Sequence, residues 1–201
     1  MKVTVFTCTY NESDLLLRAM RSVPRHPEIE YIVVNDGSTD GTESAVEVFR
    51  QRFYPEMIVY THDHNMGLGA SKNTVYEHAR GDYLYELDHD DFLYPERFLE
   101  VLDELDGTDF VYVDIEVNDG TVWKLNEESM NVLVAGHTHF IRREFIGDLR
   151  TRTDVVTEDW FFNQDLMKKN PSVKFTNKIV HHYNFPREGS LLWNYNRKEK
   201  P

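Results

Sequence analysis

Apolar residues along the first half of the chain alternate between two rhythms. Residues 3–9 are an apolar, β-branched run that predicts a buried strand, ended by the polar break Tyr10-Asn11-Glu12. Leu16, Ala19, Met20 and Val23 then recur at helical spacing, with Ser13 in position to cap. The same succession returns further on. A strand over 29–34 leads into the turn Asp36-Gly37-Ser38-Thr39-Asp40-Gly41, and Thr42 is placed to cap a helix carrying Ala45, Val48 and Phe49. A third strand over 57–61 precedes a helix over 70–79 that stops before Gly81. A fourth, over 83–87, enters Asp88-His89-Asp90-Asp91 without any turn residue, and Pro95 opens a helix through Phe98, Leu102 and Leu105.

Strand–helix alternation of this kind predicts an α/β fold, a mainly parallel sheet flanked by helices on both faces. In such sheets ligands bind beyond the carboxyl ends of the strands, and each polar cluster named above falls at such an end. From residue 107 the pattern changes. Residues 110–117 and 121–125 flank Asn118-Asp119-Gly120, a hairpin signal. Residues 138–141 predict a strand, 158–168 a helix, and 173–175 and 179–182 two short strands before a polar tail. With no repeat or linker, 1–201 reads as one domain, with 1–106 and 107–201 as its two halves.

Composition narrows the partners. The chain has 22 Lys and Arg against 35 Asp and Glu, a formal charge of −13, which repels nucleic acid and excludes it as a partner. The same charge opposes any anionic ligand unless a divalent cation held by clustered carboxylates reverses the local field. Cys8 is the single cysteine, so no intrachain disulfide forms, and a soluble, cytoplasmic protein is expected. No apolar run reaches the ~20 residues of a membrane span; peripheral attachment to a membrane is compatible with this.

The cluster Asp88-His89-Asp90-Asp91 sets three carboxylates side by side, which costs energy unless a cation or base pairs with them. A hard divalent ion, Mn2+ or Mg2+, would supply that charge and bridge to a diphosphate. The plainer alternative is an acidic stretch ahead of a helix N-terminus. Thr9-Tyr10-Asn11-Glu12, the run 33–42 from Val33 to Thr42, Asn65-Met66-Gly67, Gly81-Asp82-Tyr83-Leu84 and the aspartate cluster, taken together in this order, resemble the GT-A fold glycosyltransferases of family 2. Glu158-Asp159 resembles the acidic motif on that family's acceptor side.

The resemblance implies an inverting, metal-assisted transfer of a sugar from a nucleotide-diphosphate donor, UDP-sugar by analogy, to the hydroxyl of a saccharide or other acceptor. It implies roles residue by residue. Tyr10, within the Tyr10-Asn11-Glu12 motif whose Glu12 also counts as a donor-side residue, stacks on the base; Asp36 accepts from a base N–H. Lys72 touches base or phosphate, or is merely a solvated helix lysine. Asp88, with His89 beside it, faces the ribose or a metal-bound water; Asp90 ligates the metal, with Asp91 as its neighbour. Asp159 is the general base, Glu158 the second choice. His182 is the late histidine expected to complete the metal site, although Asn184 and Pro186 depart from the family's pattern here, and Arg187 clamps phosphate. Trp123, Trp160 and Trp193 offer an acceptor platform or core packing. His62-Asp63-His64 and His137-Thr138-His139 suggest zinc, but a third ligand is lacking and exposed or core histidines fit better. The short second half invites completion by self-association or a further domain. The rivals are a sugar-nucleotide pyrophosphorylase, which expects a Gly-rich, Arg-bearing loop where Tyr10-Asn11-Glu12 stands, and a catalytically silent nucleotide-sugar-binding module.

Overall fold

The computed structural model describes residues 2–126, 138–155, 157–185 and 187–188. Its first half alternates β1 (Val3–Thr9), α1 (Ser13–Ser22), β2 (Ile29–Asn35), α2 (Thr42–Phe53), β3 (Ile58–Thr61), α3 (Leu68–His78) and β4 (Tyr83–Glu86). Then come β5 (Phe92–Leu93), α4 (Pro95–Leu102), β6 (Phe110–Val117), β7 (Val122–Trp123), β8 (His139–Arg142), α5 (Arg143–Ile146), α6 (Glu158–Met167) and β9 (Val173–Tyr183). The strands form one sheet in the order β3-β2-β1-β4-β8-β6-β9-β5, with β7 paired to β6. The four strands of the first half are parallel, β8 runs antiparallel between β4 and β6, and β9 lies parallel to β6.

Period-two alternation divides the core between the two faces of the sheet. Val3, Val5, Tyr31, Val33, Tyr85, Val111 and Val113 meet Leu16, Met20, Val46, Phe49, Phe98 and Val101, so α1, α2 and α4 cover one face. Phe6, Cys8, Ile32, Val34, Leu84, Phe110 and Tyr112 meet Val75, Ile146, Phe162 and Leu166 from α3, α5 and α6 on the other. Full burial of each such Leu, Val or Phe contributes roughly 1.5–3 kcal/mol. At the amino ends of the strands, Glu30 is tied to Thr4 (2.7 Å) and to the Arg80 backbone and guanidinium (2.8 and 2.7 Å).

Several local readings shift. Ser13 and Thr42 are the first helical residues rather than the caps, which are Glu12 and Gly41. The capping bond at α2 comes from two residues earlier, where the Asp40 carboxylate accepts the Thr42 N–H at 2.8 Å. Segments 173–175 and 179–182 are one strand, β9. Its pairing with β6 slips around Asp114, and Asn177, with φ +54°, takes up the irregularity that read as a break. The two-residue β5 and the single-turn α5 escape pattern reading because neither is long enough to show a period.

β5 decides the shape of the site. The chain leaves β4 beside β1 and re-enters the sheet at its far edge, against β9, so Asp88-His89-Asp90-Asp91 crosses the carboxyl end of the sheet. The turn after β2 is equally constrained. Gly37 has φ +67°, and a Cβ there would lie 2.4 Å from the His64 carbonyl carbon. Gly37→Ala is expected to destabilise by more than about 1 kcal/mol, lowering the melting temperature by roughly 3 °C or more, as calorimetry would report.

Candidate functional site

At the end of β1, Tyr10 is 42% exposed, a high value for an aromatic ring beside the core. Asn11 follows with φ +55° and clasps the loop after β2: its N–H donates to Ser38 Oγ (3.0 Å) and its Oδ1 accepts the Thr39 N–H (2.8 Å). Asp36 is buried and does more than shape a turn. Its Oδ1 meets His62 Nδ1 at 2.7 Å and accepts the Met66 N–H at 2.9 Å, while Oδ2 accepts the Gly67 N–H at 2.8 Å. His62 thus serves Asp36 and Thr74, not a metal. One lone pair on Oδ2 is left by these bonds. Thr9 Oγ1, Asn35 Nδ2 and Ser71 Oγ, close to these loops in the chain, are buried polar atoms without a protein partner, which is uncommon away from ligand sites.

Across the end of β4, Asp88 is half-buried, Asp90 is buried and Asp91 is wholly buried. Burial, then the charges of Asp88 and Asp91, push the Asp90 carboxyl above the usual carboxylate range. Arg187 partly compensates: its Nε donates to Asp90 Oδ2 at 2.5 Å, and its Nη1 lies 3.6 Å from Glu12 Oε1, joining the loop after β1 to the aspartate cluster. Arg18 donates to the Asp90 carbonyl. Asp91 anchors the crossing. Its Oδ2 meets His181 Nε2 at 2.7 Å, its Oδ1 accepts the Asn184 N–H at 2.7 Å, and His181 Nδ1 meets the Tyr85 hydroxyl at 3.0 Å.

His182, expected as the third metal ligand, faces the other way. Its ring stacks on Phe92 at 4.3 Å, on the side of β9 opposite His181, and its buried Nδ1 has no partner. Burial holds the His182 imidazole below its ordinary pKa. Among the described residues, no group of three or more His, Cys, Asp or Glu is arranged to hold an ion. Asp88 and Asp90 fit a hard divalent cation by donor chemistry, provided a bound diphosphate and water fill the remaining positions. His89 is half-buried with its Nε2 buried and unpartnered.

The reading of Lys72 as a solvated lysine is overturned. Its side chain is 1% exposed and its Nζ reaches three carboxylates: Glu86 at 2.9 Å, Glu158 at 3.2 Å and Asp159. Burial opposes the charged ammonium, but the charges of Asp159, Glu86 and Glu158 outweigh it and hold the pKa well above the ordinary lysine value. Glu158, 4% exposed, is shifted upward by burial despite Lys72 beside it; Asp159 is 32% exposed. Glu86 was legible as a charge inside an apolar strand, a signal the periodicity reading passed over. Beneath the group, Phe6, Tyr76, Leu84, Ile141 and Phe162 line a pocket with Glu86 and Asp159.

Tyr183, at the end of β9, links the two acidic groups. Burial first, then the charges of Asp88, Asp91, Asp90 and Asp159, raise its hydroxyl pKa. It stacks with Phe185 (5.6 Å, 10°), and Trp123 packs edge-on against both at 6.0 and 5.5 Å. Trp160 packs on Phe161 instead, and His139 is buried against Phe110 and Tyr112. Pro186, Trp193 and His137 lie outside the described residues.

A mainly parallel sheet covered by helices on both faces, with acidic loops gathered at its strand ends, is the GT-A glycosyltransferase fold. Among solved structures, Staphylococcus aureus TarS (residues 1–349, in complex with UDP-GlcNAc) matches 96% of this chain and 60% of its own at TM-score 0.81 and 20% identity. The mannosyltransferase PcManGT of Pyrobaculum calidifontis, in complex with GDP-Man and Mn2+, matches 98% of this chain and 60% of its own at TM-score 0.72 and 20% identity. The family described as Glycosyl transferase family 2 matches residues 4–169, and the chain belongs to it. A glycosyltransferase of Rickettsia typhi, itself uncharacterised, is 32% identical over 58% of this chain. The glycosyltransferase GlyA of Streptococcus pneumoniae is 24% identical over 94%. The chain spans about a third of the length of these two relatives, 37% and 31%. No helix among the described residues is long and apolar enough to cross a membrane.

Proposed function

We propose that this domain transfers a sugar from a nucleotide-diphosphate donor to an acceptor hydroxyl, inverting the anomeric centre. The observation that carries the reading is geometric: Lys72 ties the partly exposed Asp159 to Glu86, the last residue of β4 and two positions ahead of Asp88, which supports both acidic groups lying at the carboxyl end of that strand. A donor held between them would present its diphosphate to the first group and its anomeric carbon to the second.

In this scheme Tyr10 stacks on the base, and the remaining lone pair of Asp36 Oδ2 accepts a base N–H such as a uracil offers. The complexes of TarS with UDP-GlcNAc and of PcManGT with GDP-Man support a nucleotide-sugar donor; Asp36 and Tyr10 favour UDP. Asp88 and Asp90 would hold a divalent ion, which supplies the positive charge a leaving diphosphate needs. Arg187, already beside Asp90 and Glu12, grips phosphate oxygens with the guanidinium nitrogens that it now turns to those carboxylates. Asp159 removes the acceptor proton as the hydroxyl oxygen attacks the anomeric carbon, and the diphosphate departs from the opposite side. Residues 107–201 would furnish the acceptor side, where Trp123, Tyr183 and Phe185 present the flat surfaces that pyranose rings favour.

Release of free nucleoside diphosphate on incubation with UDP- and GDP-sugars, with and without Mn2+, tests this proposal. A pyrophosphorylase would need a sugar phosphate and a nucleoside triphosphate; a binding module would bind donor without turnover. Either result would end the transferase reading. Trp123→Ala is expected to raise the acceptor KM by up to roughly tenfold while leaving donor hydrolysis in water unchanged, as initial rates with and without acceptor would separate.

A further inference from the structure

Lys72 lies on α3, a few residues beyond Gly67, and its ammonium is directed at carboxylates. It sits at the meeting of three elements: Glu86 closes β4, and Glu158 and Asp159 open α6. A lysine this deeply buried is costly unless its charge is paired, and here it is paired three times over. The arrangement carries an excess of negative charge, relieved in part because Glu158, the more buried acid of its pair, takes a proton more readily than an ordinary glutamate. Asp159 differs in being partly open to the cleft.

On the reading that Asp159 is the base, we infer that Lys72 is its positioning residue: held between Glu86 and Glu158, the ammonium takes Asp159 Oδ1 and leaves Oδ2 turned to the acceptor hydroxyl. Two consequences follow from the charge. The ammonium sets a positive charge directly against Asp159, where Glu158 and Glu86 share the same cation. It also prevents the carboxylate from rotating, which the in-line approach of the acceptor oxygen requires. Among the described residues, the other ionisable groups around the cluster include Tyr76 beneath it, Tyr183 across it and the Cys8 thiol; burial first of all raises the pKa of all three, so all stay neutral where the base works. Because Lys72 is spent on these carboxylates, it is not a donor ligand.

The experiment compares wild type, Lys72→Met, which keeps the length of the side chain without its charge, and Lys72→Arg, which keeps the charge. Three readouts are taken on the full chain: calorimetric binding of UDP with Mn2+, UDP release from UDP-GlcNAc as a function of pH, and the titration of the Asp159 carboxyl by 13C NMR, assigned with Asp159→Asn. In Lys72→Met, UDP affinity is expected to stay within about threefold, turnover to fall by roughly a hundredfold or more, and the acid limb of the rate profile to move to higher pH. The Asp159 carboxyl should titrate at higher pH than in wild type, because its cation is gone, and Lys72→Arg should restore much of both. A tenfold loss of UDP affinity with turnover of bound donor intact would make Lys72 a donor ligand and overturn the inference, as would an unmoved Asp159 titration. If wild type releases no UDP, the transferase reading fails by itself, and the carboxyl titration still decides whether Lys72 governs Asp159.

Discussion

Asp159→Asn is expected to lower sugar transfer about a thousandfold, the contribution typical of a positioned general base, while UDP binding and the melting temperature barely change. Amide for carboxylate keeps the shape and an oxygen for Lys72, so the geometry is retained and the proton acceptor is lost. The fold should tolerate it because Lys72 keeps Glu86 and Glu158 as partners. Single-turnover rates with pre-bound donor check this. A variant that transfers at more than a tenth of the wild-type rate would shift the role of base to Glu158 or elsewhere. Glu158→Gln should be milder, since that carboxyl is 4% exposed and turned toward Lys72.

Asp90→Ala should give the opposite pattern, with donor binding lost and stability kept. Burial and the neighbouring charges of Asp88 and Asp91 already disfavour the ionised carboxylate, so its removal relieves repulsion at the cost of one ion pair with Arg187. The ligand-free melting temperature is therefore expected to be unchanged or higher. The extra stability that UDP with Mn2+ confers on wild type should disappear, with affinity at least roughly a hundredfold weaker, as for loss of a metal-site carboxylate. Thermal melts with UDP alone, Mn2+ alone and both together separate the contributions. Retained stabilisation by the pair would show that Asp90 serves Arg187 alone. Local stability given up for a charged site is the usual trade at functional positions.

Much of the first half could be read from the chain because its elements are long and strictly patterned. The strands of residues 3–9 and 29–35 are buried along their whole length, as parallel strands covered on both faces must be. The acidic cluster after β4 was visible because three aspartates stand within four residues at the end of an apolar strand, although an acidic stretch ahead of a helix N-terminus reads the same way. Glu158-Asp159 was visible as a pair, but nothing linear distinguished the two. Their exposures, 4% and 32%, do.

Partnerships were not visible, because they join residues far apart in sequence. In the sequence Lys72 read as a contact to base or phosphate or else as a solvated helix lysine, and neither reading named Glu86, Glu158 and Asp159 as the partners it has. The histidine that meets the aspartate cluster is His181 rather than His182, a choice of strand face that depends on how β9 registers against β5. In a strand, a shift of one position turns a side chain to the opposite side, and only pairing with a distant partner sets that register.

Local periodicity and charge alone thus determined an α/β sheet with its acidic groups at the strand ends, since each depends on neighbours within a few residues. Tertiary structure alone decided which acids are buried, which cation each one meets and which face a histidine presents. The physical reason is that burial and ion pairing are set by segments up to ninety-odd positions away, as between Asp90 and Arg187, and a carboxylate's chemistry follows from those surroundings rather than from its own place in the chain.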